Sequence, residues 1–76
     1  MIRVPVDSST LLSVAYSRDR LVLEVEFRSH IVYRYFDVPP EIYHALLASD
    51  SKGKYFNAYI RNCFIYNQLS AASTVG

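Results

Sequence analysis

Two histidines, a serine pair, one cysteine and a short basic cluster are the residues of this chain whose types could do chemistry. His30 falls in a loop and His44 in a helix, and neither has a cysteine or carboxylate at a spacing that would build a metal site, so both are expected to be solvated. Ser8 and Ser9 would need a neighbouring base to act as nucleophiles. None is recognisable, and a polar turn, Asp7-Ser8-Ser9-Thr10, whose side chains bond nearby amides accounts for them. Cys63 lies on an apolar stripe of helical spacing, the place of a small core residue rather than a reactive thiol. No catalytic residue, metal or cofactor is expected, and the chain is not read as an enzyme. Lys52-Gly53-Lys54 looks like a phosphate loop, but the Walker spacing is missing and no strand directly precedes it. At a helix N-terminus, with Arg61 two turns further on, Lys52 and Lys54 can still meet phosphates, which makes these three the candidate nucleic-acid contacts.

Tyr33 and Tyr35, beside Arg34, have the composition of a stacking platform for single-stranded RNA. They share strand parity with Ile31, on the face assigned to the core, so the core reading takes precedence. On the opposite face Val22, Val32 and Phe36, fringed by Glu24, Glu26 and Arg34, make an apolar centre with a charged rim. That is the make-up of a protein-binding patch, provided the helices cover only the other face. The competing arrangement folds the C-terminal tail or a strand at Ile2–Val6 over it.

The elements that must position these residues follow from periodicity. Ile2, Val4 and Val6 alternate with Arg3 and Pro5 and predict a short edge strand, since Pro5 has no amide to donate. Leu11 to Ser17 reads as a strand with Leu12, Val14 and Tyr16 on one face. After a four-residue connection, Ser17-Arg18-Asp19-Arg20, a second strand over Leu21–Phe27 turns Leu21, Leu23, Val25 and Phe27 inward and Val22, Glu24 and Glu26 outward. A three-residue loop at Arg28-Ser29-His30 then sets Phe27 opposite Ile31, Val25 opposite Tyr33, Leu23 opposite Tyr35 and Glu24 opposite Arg34. A slip of one residue would spoil both faces. Pro39-Pro40 ends the third strand, and Pro40 suits the first position of a helix reaching Ser49, with Ile42, Ala45 and Leu46 as its stripe. Ser51 is a plausible N-cap for a second helix from Lys54 to about Gln68, on which Phe56, Tyr59, Ile60, Cys63 and Phe64 face the core.

Length and composition bound the rest. Seventy-six residues make one domain, over 1–69, with a patternless tail at 70–76 expected to be disordered. Seven tyrosines and four phenylalanines supply an aromatic core with partly wet margins. A formal net charge of +1 does not call for nucleic acid, although a neutral chain can still gather its cations on one side. A single cysteine excludes an internal disulfide and suits a reducing cytoplasmic setting, and no run approaches the length needed to cross a bilayer. A monomer is expected.

Ser8-Ser9, Tyr16, Leu23-x-Val25-x-Phe27, Tyr33-x-Tyr35, Val38-Pro39, Ser51-x-Gly53-x-x-Phe56-Asn57 and Ile60-Arg61, taken in order, resemble the KTSC domain, named from the C-terminus of some lysyl-tRNA synthetases. The resemblance runs from about Val6 to Tyr66. Departures are Ala15 and His30, where the family usually has glycine, and Ser17, where aspartate is usual. The family has no assigned enzymatic activity, and RNA binding is the role suggested for it. The resemblance extends to small phage transcription regulators that bind host RNA polymerase in antitermination and in shut-off of host initiation. The expected fold is thus α+β, a three-stranded antiparallel sheet with a possible fourth N-terminal edge strand, packed on two C-terminal helices. The expected role is a cytoplasmic, phage-type binding module for bacterial RNA polymerase, acting through Val22, Val32, Arg34 and Phe36. The alternative is an RNA- or tRNA-binding domain using Lys52, Lys54 and Arg61.

Overall fold

A computed structural model describes residues 1–69 as β1 (Arg3–Pro5), β2 (Leu11–Ser17), β3 (Val22–Phe27), β4 (Val32–Tyr35), α1 (Pro40–Ala48), α2 (Lys52–Tyr59) and β5 (Tyr66–Leu69). The strands pair antiparallel in sequence order, β1-β2-β3-β4-β5, in a single sheet. The α+β class is as expected, but the sheet has five strands rather than three with a possible fourth. The predicted tail at 70–76 lies outside the described residues.

The hairpin register follows the alternation of the sequence. Leu23 pairs with Tyr35, Glu24 with Arg34 and Val25 with Tyr33, and the Phe27 amide donates to the Ile31 carbonyl (3.0 Å). The loop closes through the His30 amide, which donates to the Phe27 carbonyl (2.8 Å), with His30 itself left-handed at φ 69°. A turn followed by a left-handed residue is a standard three-residue hairpin, so histidine takes the place that glycine fills most cheaply.

Two strand details differ from expectation. A bulge between Leu11 and Ser13 rotates Leu11, not Leu12, onto the core face beside Val14. Leu21 is left-handed (φ 56°) and belongs to the loop, so β3 starts at Val22.

The larger correction concerns the second helix. Ser51 caps it as expected, accepting from the Lys54 amide, but the helix ends at Tyr59 rather than near Gln68. Ile60 departs from helical geometry (φ −120°, ψ −48°) and the Arg61 amide turns back to the Phe56 carbonyl (2.9 Å). Beyond the turn, Phe64-Ile65-Tyr66 is aromatic and β-branched, which favours extended backbone, and Tyr66 pairs with Tyr35 at the start of β5. Cys63 is therefore exposed in a turn and Tyr59 is more than half exposed, while Phe56 and Ile60 are buried. On α1, which starts at Pro40 as expected, Leu46 is buried but Ala45 faces solvent.

Both helices pack on one sheet face. Val14, Leu23, Val25 and Tyr35 meet Leu46, Phe56 and Ile60 there, with Leu11 and Val38 completing the core. Tyr16 anchors α1 from the side, stacking on Tyr43 at 4.7 Å between centroids and donating its hydroxyl to the Val38 carbonyl.

Candidate functional site

The aromatic residues of the inner face do not stop where the helices do. Phe27, Tyr33, Tyr35 and Phe56 form a closed ring of edge-to-face pairs, with centroid separations of 5.5 Å (Phe27–Tyr33), 6.3 Å (Tyr33–Tyr35), 5.6 Å (Tyr35–Phe56) and 5.3 Å (Phe27–Phe56). Tyr66 extends the cluster onto β5, against both Tyr33 and Tyr35. Tyr35 and Phe56 are almost fully buried and Tyr33 half-buried, yet all four rings line an open cleft of about 420 Å³. The face assigned to the core is thus correct for Tyr33 and Tyr35, but its cover is incomplete.

The rim of this cleft is cationic and polar. The β3–β4 loop contributes Arg28, held by two bonds from its guanidinium Nε and Nη2 to the Ser8 carbonyl (3.1 and 2.9 Å). The far wall carries Asn57 from α2 and Arg61 just beyond it, with Arg61 Nη1 donating to Asn57 Oδ1 at 3.4 Å. Among the described residues no Asp or Glu lines the cleft. Burial, reinforced by the neighbouring Tyr33 and Tyr66 phenols and opposed by the Arg61 charge, pushes the Tyr35 hydroxyl up to about 12. It stays a neutral donor throughout the physiological range.

Lys52 and Lys54 stand beside a second hollow, bordered by Asp7, Ser9, Thr10 and Asp50, which shares Thr10 and Asn57 with the aromatic cleft. Gly53 brings these parts together, because a Cβ there would lie 3.0 Å from Thr10 Oγ1. Of the three basic residues singled out in the sequence, Lys52 and Lys54 are thus adjacent, with Lys52 Nζ donating to the Ser49 carbonyl, and Arg61 belongs to the neighbouring cleft. Periodicity alone misses the contributions of Phe27, Arg28, Phe56 and Asn57. The usable signal was the hairpin register, which puts Arg28 at the open end of the aromatic rows.

The outer face differs from its expected form. Arg3, Ala15, Glu24, Arg34 and Asn67 lie in one cross-strand row, and the small Ala15 lets Arg3 reach across to Glu24. Arg3 Nη2 meets Glu24 Oε1 at 2.6 Å, while Arg34 holds Oε2 through Nη2 (2.6 Å) and Nε (3.0 Å). Glu24 was expected to form an exposed pair with Arg34 alone; it is 8% exposed and clamped from both sides. Ser13 donates to Glu26 (2.8 Å), and His30 approaches the other Glu26 oxygen at 3.5 Å. The Ser13 bond, with His30 and Arg3 helping and burial opposing, holds the Glu26 carboxyl below the usual range. In the predicted protein-binding patch Val22 is buried, Val32 and Phe36 are half-buried, and Arg34 is committed to Glu24. Among the described residues no helix covers this face, and β1 extends the sheet edge instead of folding over it. Met1, Val22, Arg34 and Phe36 border a hollow there.

His44 is exposed on α1, and Ser8 Oγ accepts from the Thr10 and Leu11 amides (both 3.1 Å), as a turn serine does. Among the described residues, no three His, Cys, Asp or Glu side chains gather as metal ligands, and no helix is long and apolar enough to cross a membrane.

Comparison with known proteins places this architecture. A profile of the KTSC domain matches residues 7–64. A KTSC domain protein from Yersinia pestis superposes with a TM-score of 0.88 at 33% identity, covering 91% of this chain and 97% of that one. An uncharacterised protein of Stutzerimonas stutzeri is 51% identical over 57 residues, 75% of this chain and 80% of its own length. A lysine–tRNA ligase of Nostoc punctiforme is 38% identical over 64 residues, which span 84% of this chain but only 11% of the ligase.

Proposed function

This chain belongs to the KTSC domain family, and from that premise we propose that it is a non-catalytic module binding single-stranded RNA in the aromatic cleft. The observation that carries the reading is the conjunction, in one open recess, of the half-buried Phe27 and Tyr33 rings, backed by the buried Tyr35 and Phe56, with Arg28 and Arg61 on the rim. Aromatic rings stack on any base, and arginines hold the flanking phosphates, which is the division of labour in single-strand binding. The net charge of +1 is no obstacle once the cations are located. Arg3 and Arg34 are both bound to Glu24 on the outer face, whereas Arg28, Lys52, Lys54 and Arg61 surround the two adjoining hollows against only Asp7 and Asp50. The likeness to one part of a lysine–tRNA ligase is in keeping with an RNA partner.

Fluorescence polarisation with labelled single-stranded RNA tests this. Stacking on a ring is worth about 1–3 kcal/mol per base. Tyr33→Ala should therefore weaken binding roughly tenfold. Arg61→Glu, at an exposed position, should weaken it without lowering the melting temperature. Two such arginine contacts predict a log-log salt slope of about −1.4. RNA affinity indifferent to both substitutions would sink the reading.

A second reading, a phage-type regulator binding bacterial RNA polymerase through Val22, Val32, Arg34 and Phe36, draws on the open outer face with its hollow at Met1, Val22 and Phe36. It predicts capture of polymerase that survives nuclease and moderate salt, since apolar burial is not screened, and that is lost with Phe36→Ser. Capture that vanishes with nuclease would leave RNA as the partner.

A further inference from the structure

We infer that the aromatic cleft accepts one unpaired base and prefers the keto bases, uracil and guanine, to the amino bases, cytosine and adenine; the inference rests on the RNA-binding reading. The recess sets the first half. Its accessible rings are Phe27 and Tyr33, each half-buried over the buried Tyr35 and Phe56, so a base reaches them only by leaving its own stack, which paired bases resist.

Hydrogen-bonding inventory sets the second half. Arg28 and Arg61 carry donors and no acceptor, so whichever of their N–H groups a phosphate leaves unengaged add only donors to the rim. Asn57 has both; its Oδ1 accepts from Arg61 Nη1 at 3.4 Å, and its amide N–H groups add two donors to the rim. Two of the Arg28 nitrogens are spent on the Ser8 carbonyl and hold the guanidinium in place, with Nη1 free of that contact. Among the described residues no carboxylate lines the cleft, and the Thr10, Ser29 and tyrosine hydroxyls can donate as readily as accept. The rim is therefore rich in donors.

A base entering edge-first leads with the edge away from its sugar. There uracil offers O4 and guanine offers O6 and N7, whereas cytosine leads with its N4 amino group and adenine with its N6 amino group beside N7, so the purines differ by O6 against N6. Carbonyls meet the donors of the rim directly; an amino group finds an acceptor only where a Thr10, Ser29 or tyrosine hydroxyl turns a lone pair to it, and the arginine and amide donors then stay unmatched.

Oligouridine and oligocytidine of equal length carry identical phosphates, so at one salt concentration their difference reports the base alone. Polarisation titrations should show uridine bound about tenfold more tightly than cytidine. A uridine strand pre-annealed to its complement should compete poorly. Asn57→Asp, on the exposed side of α2, exchanges the amide donor for an acceptor and should bring the uridine-to-cytidine ratio down at least threefold with an unchanged thermal melt. Equal affinity for the two strands, preference for cytidine, a ratio unmoved by Asn57→Asp, or effective competition by the duplex would each overturn the inference while leaving RNA binding itself in place. Failure to bind either strand would remove the RNA-binding reading and the inference with it.

Discussion

The two faces of one sheet exclude water by different means. On the inner face, Val14, Leu23, Val25 and Tyr35 are buried because Leu46, Phe56 and Ile60 lie over them. On the outer face none of the described helices helps, yet Val22, Glu24, Ser13 and Ala15 are also buried, covered by longer side chains from neighbouring strands. Arg3 and Arg34 fold inward over Glu24, and Ser13 turns to Glu26. One face is closed by another layer, the other by side chains that span it. The contrast places function as well. Side chains that bridge a face are committed to each other, whereas the layered face leaves aromatic surface uncovered wherever the second layer ends. Here that is at β4, beside Arg28 and Arg61.

If layering dominates stability, its keystone should be Phe56, which touches Phe27 and Tyr35 from α2. Phe56→Ala should cost about 3–5 kcal/mol. Chemical denaturation measures it, and a loss under 1 kcal/mol would show that α2 contributes little cover. The bridged face should yield less. Glu24→Ala strips the hydrogen bonds from two guanidinium groups and leaves like charges facing each other, so about 2 kcal/mol is expected, given that bonds to charged groups run at roughly 1.5–3. That exceeds the value of an exposed pair, typically below about 1 kcal/mol. A double-mutant cycle of Glu24→Ala with Arg34→Ala separates the pair from the mere loss of side-chain packing.

These contrasts were unequally legible in the sequence. The β3–β4 register was, because a slip would have thrown Val25 against Arg34 and spoiled both faces of the hairpin. Pro40 and the Ser51 cap were legible for equally local reasons. The bulge that exchanges Leu12 for Leu11 was not, since two adjacent leucines fit either phase. The turn after Tyr59 was hidden because Ile60, Cys63 and Phe64 continue a helical spacing by coincidence, and short apolar runs do not distinguish helix from strand. That one error concealed β5 and Tyr66, and moved Arg61 from the rim of a cleft to a helix surface. The bridging by Arg3 depended on β1 pairing with β2 opposite Ala15, a contact that no pattern within either segment announces.

Alkaline pH offers a gentler probe of the layered face. The native state holds the Tyr35 proton up to about 12, whereas an unfolded chain gives it up near the ordinary phenol value of 10.0. Its contribution to stability is complete below that lower value and is lost as pH rises through the upper one. Stability followed by urea titration from pH 9 to 12 should fall, and Tyr35→Phe should flatten the fall. An unchanged slope in the phenylalanine variant would mean that the cleft floor is wetter than its burial implies.

The smallest effect is expected where the bridged face runs out into solvent. His30 pairs with Glu26 at 3.5 Å, but its side chain is 73% exposed, so the pair is worth at most about 1 kcal/mol. The same residue sits at φ 69°, a left-handed conformation that costs a non-glycine residue roughly 1–2 kcal/mol. Glycine would relieve that strain, surrender the Glu26 contact, and add entropy to the unfolded chain worth about 0.5–1 kcal/mol. The terms nearly cancel, and His30→Gly should shift stability by no more than about 0.5 kcal/mol, toward the stable side at high salt, where the exposed contact with Glu26 is screened. A loss well above 1 kcal/mol under those conditions would mean that the polar chain from Ser13 through Glu26 holds the hairpin loop as firmly as the two arginines hold Glu24. The outer face would then be closed along its whole length, including the end where solvent should have loosened it.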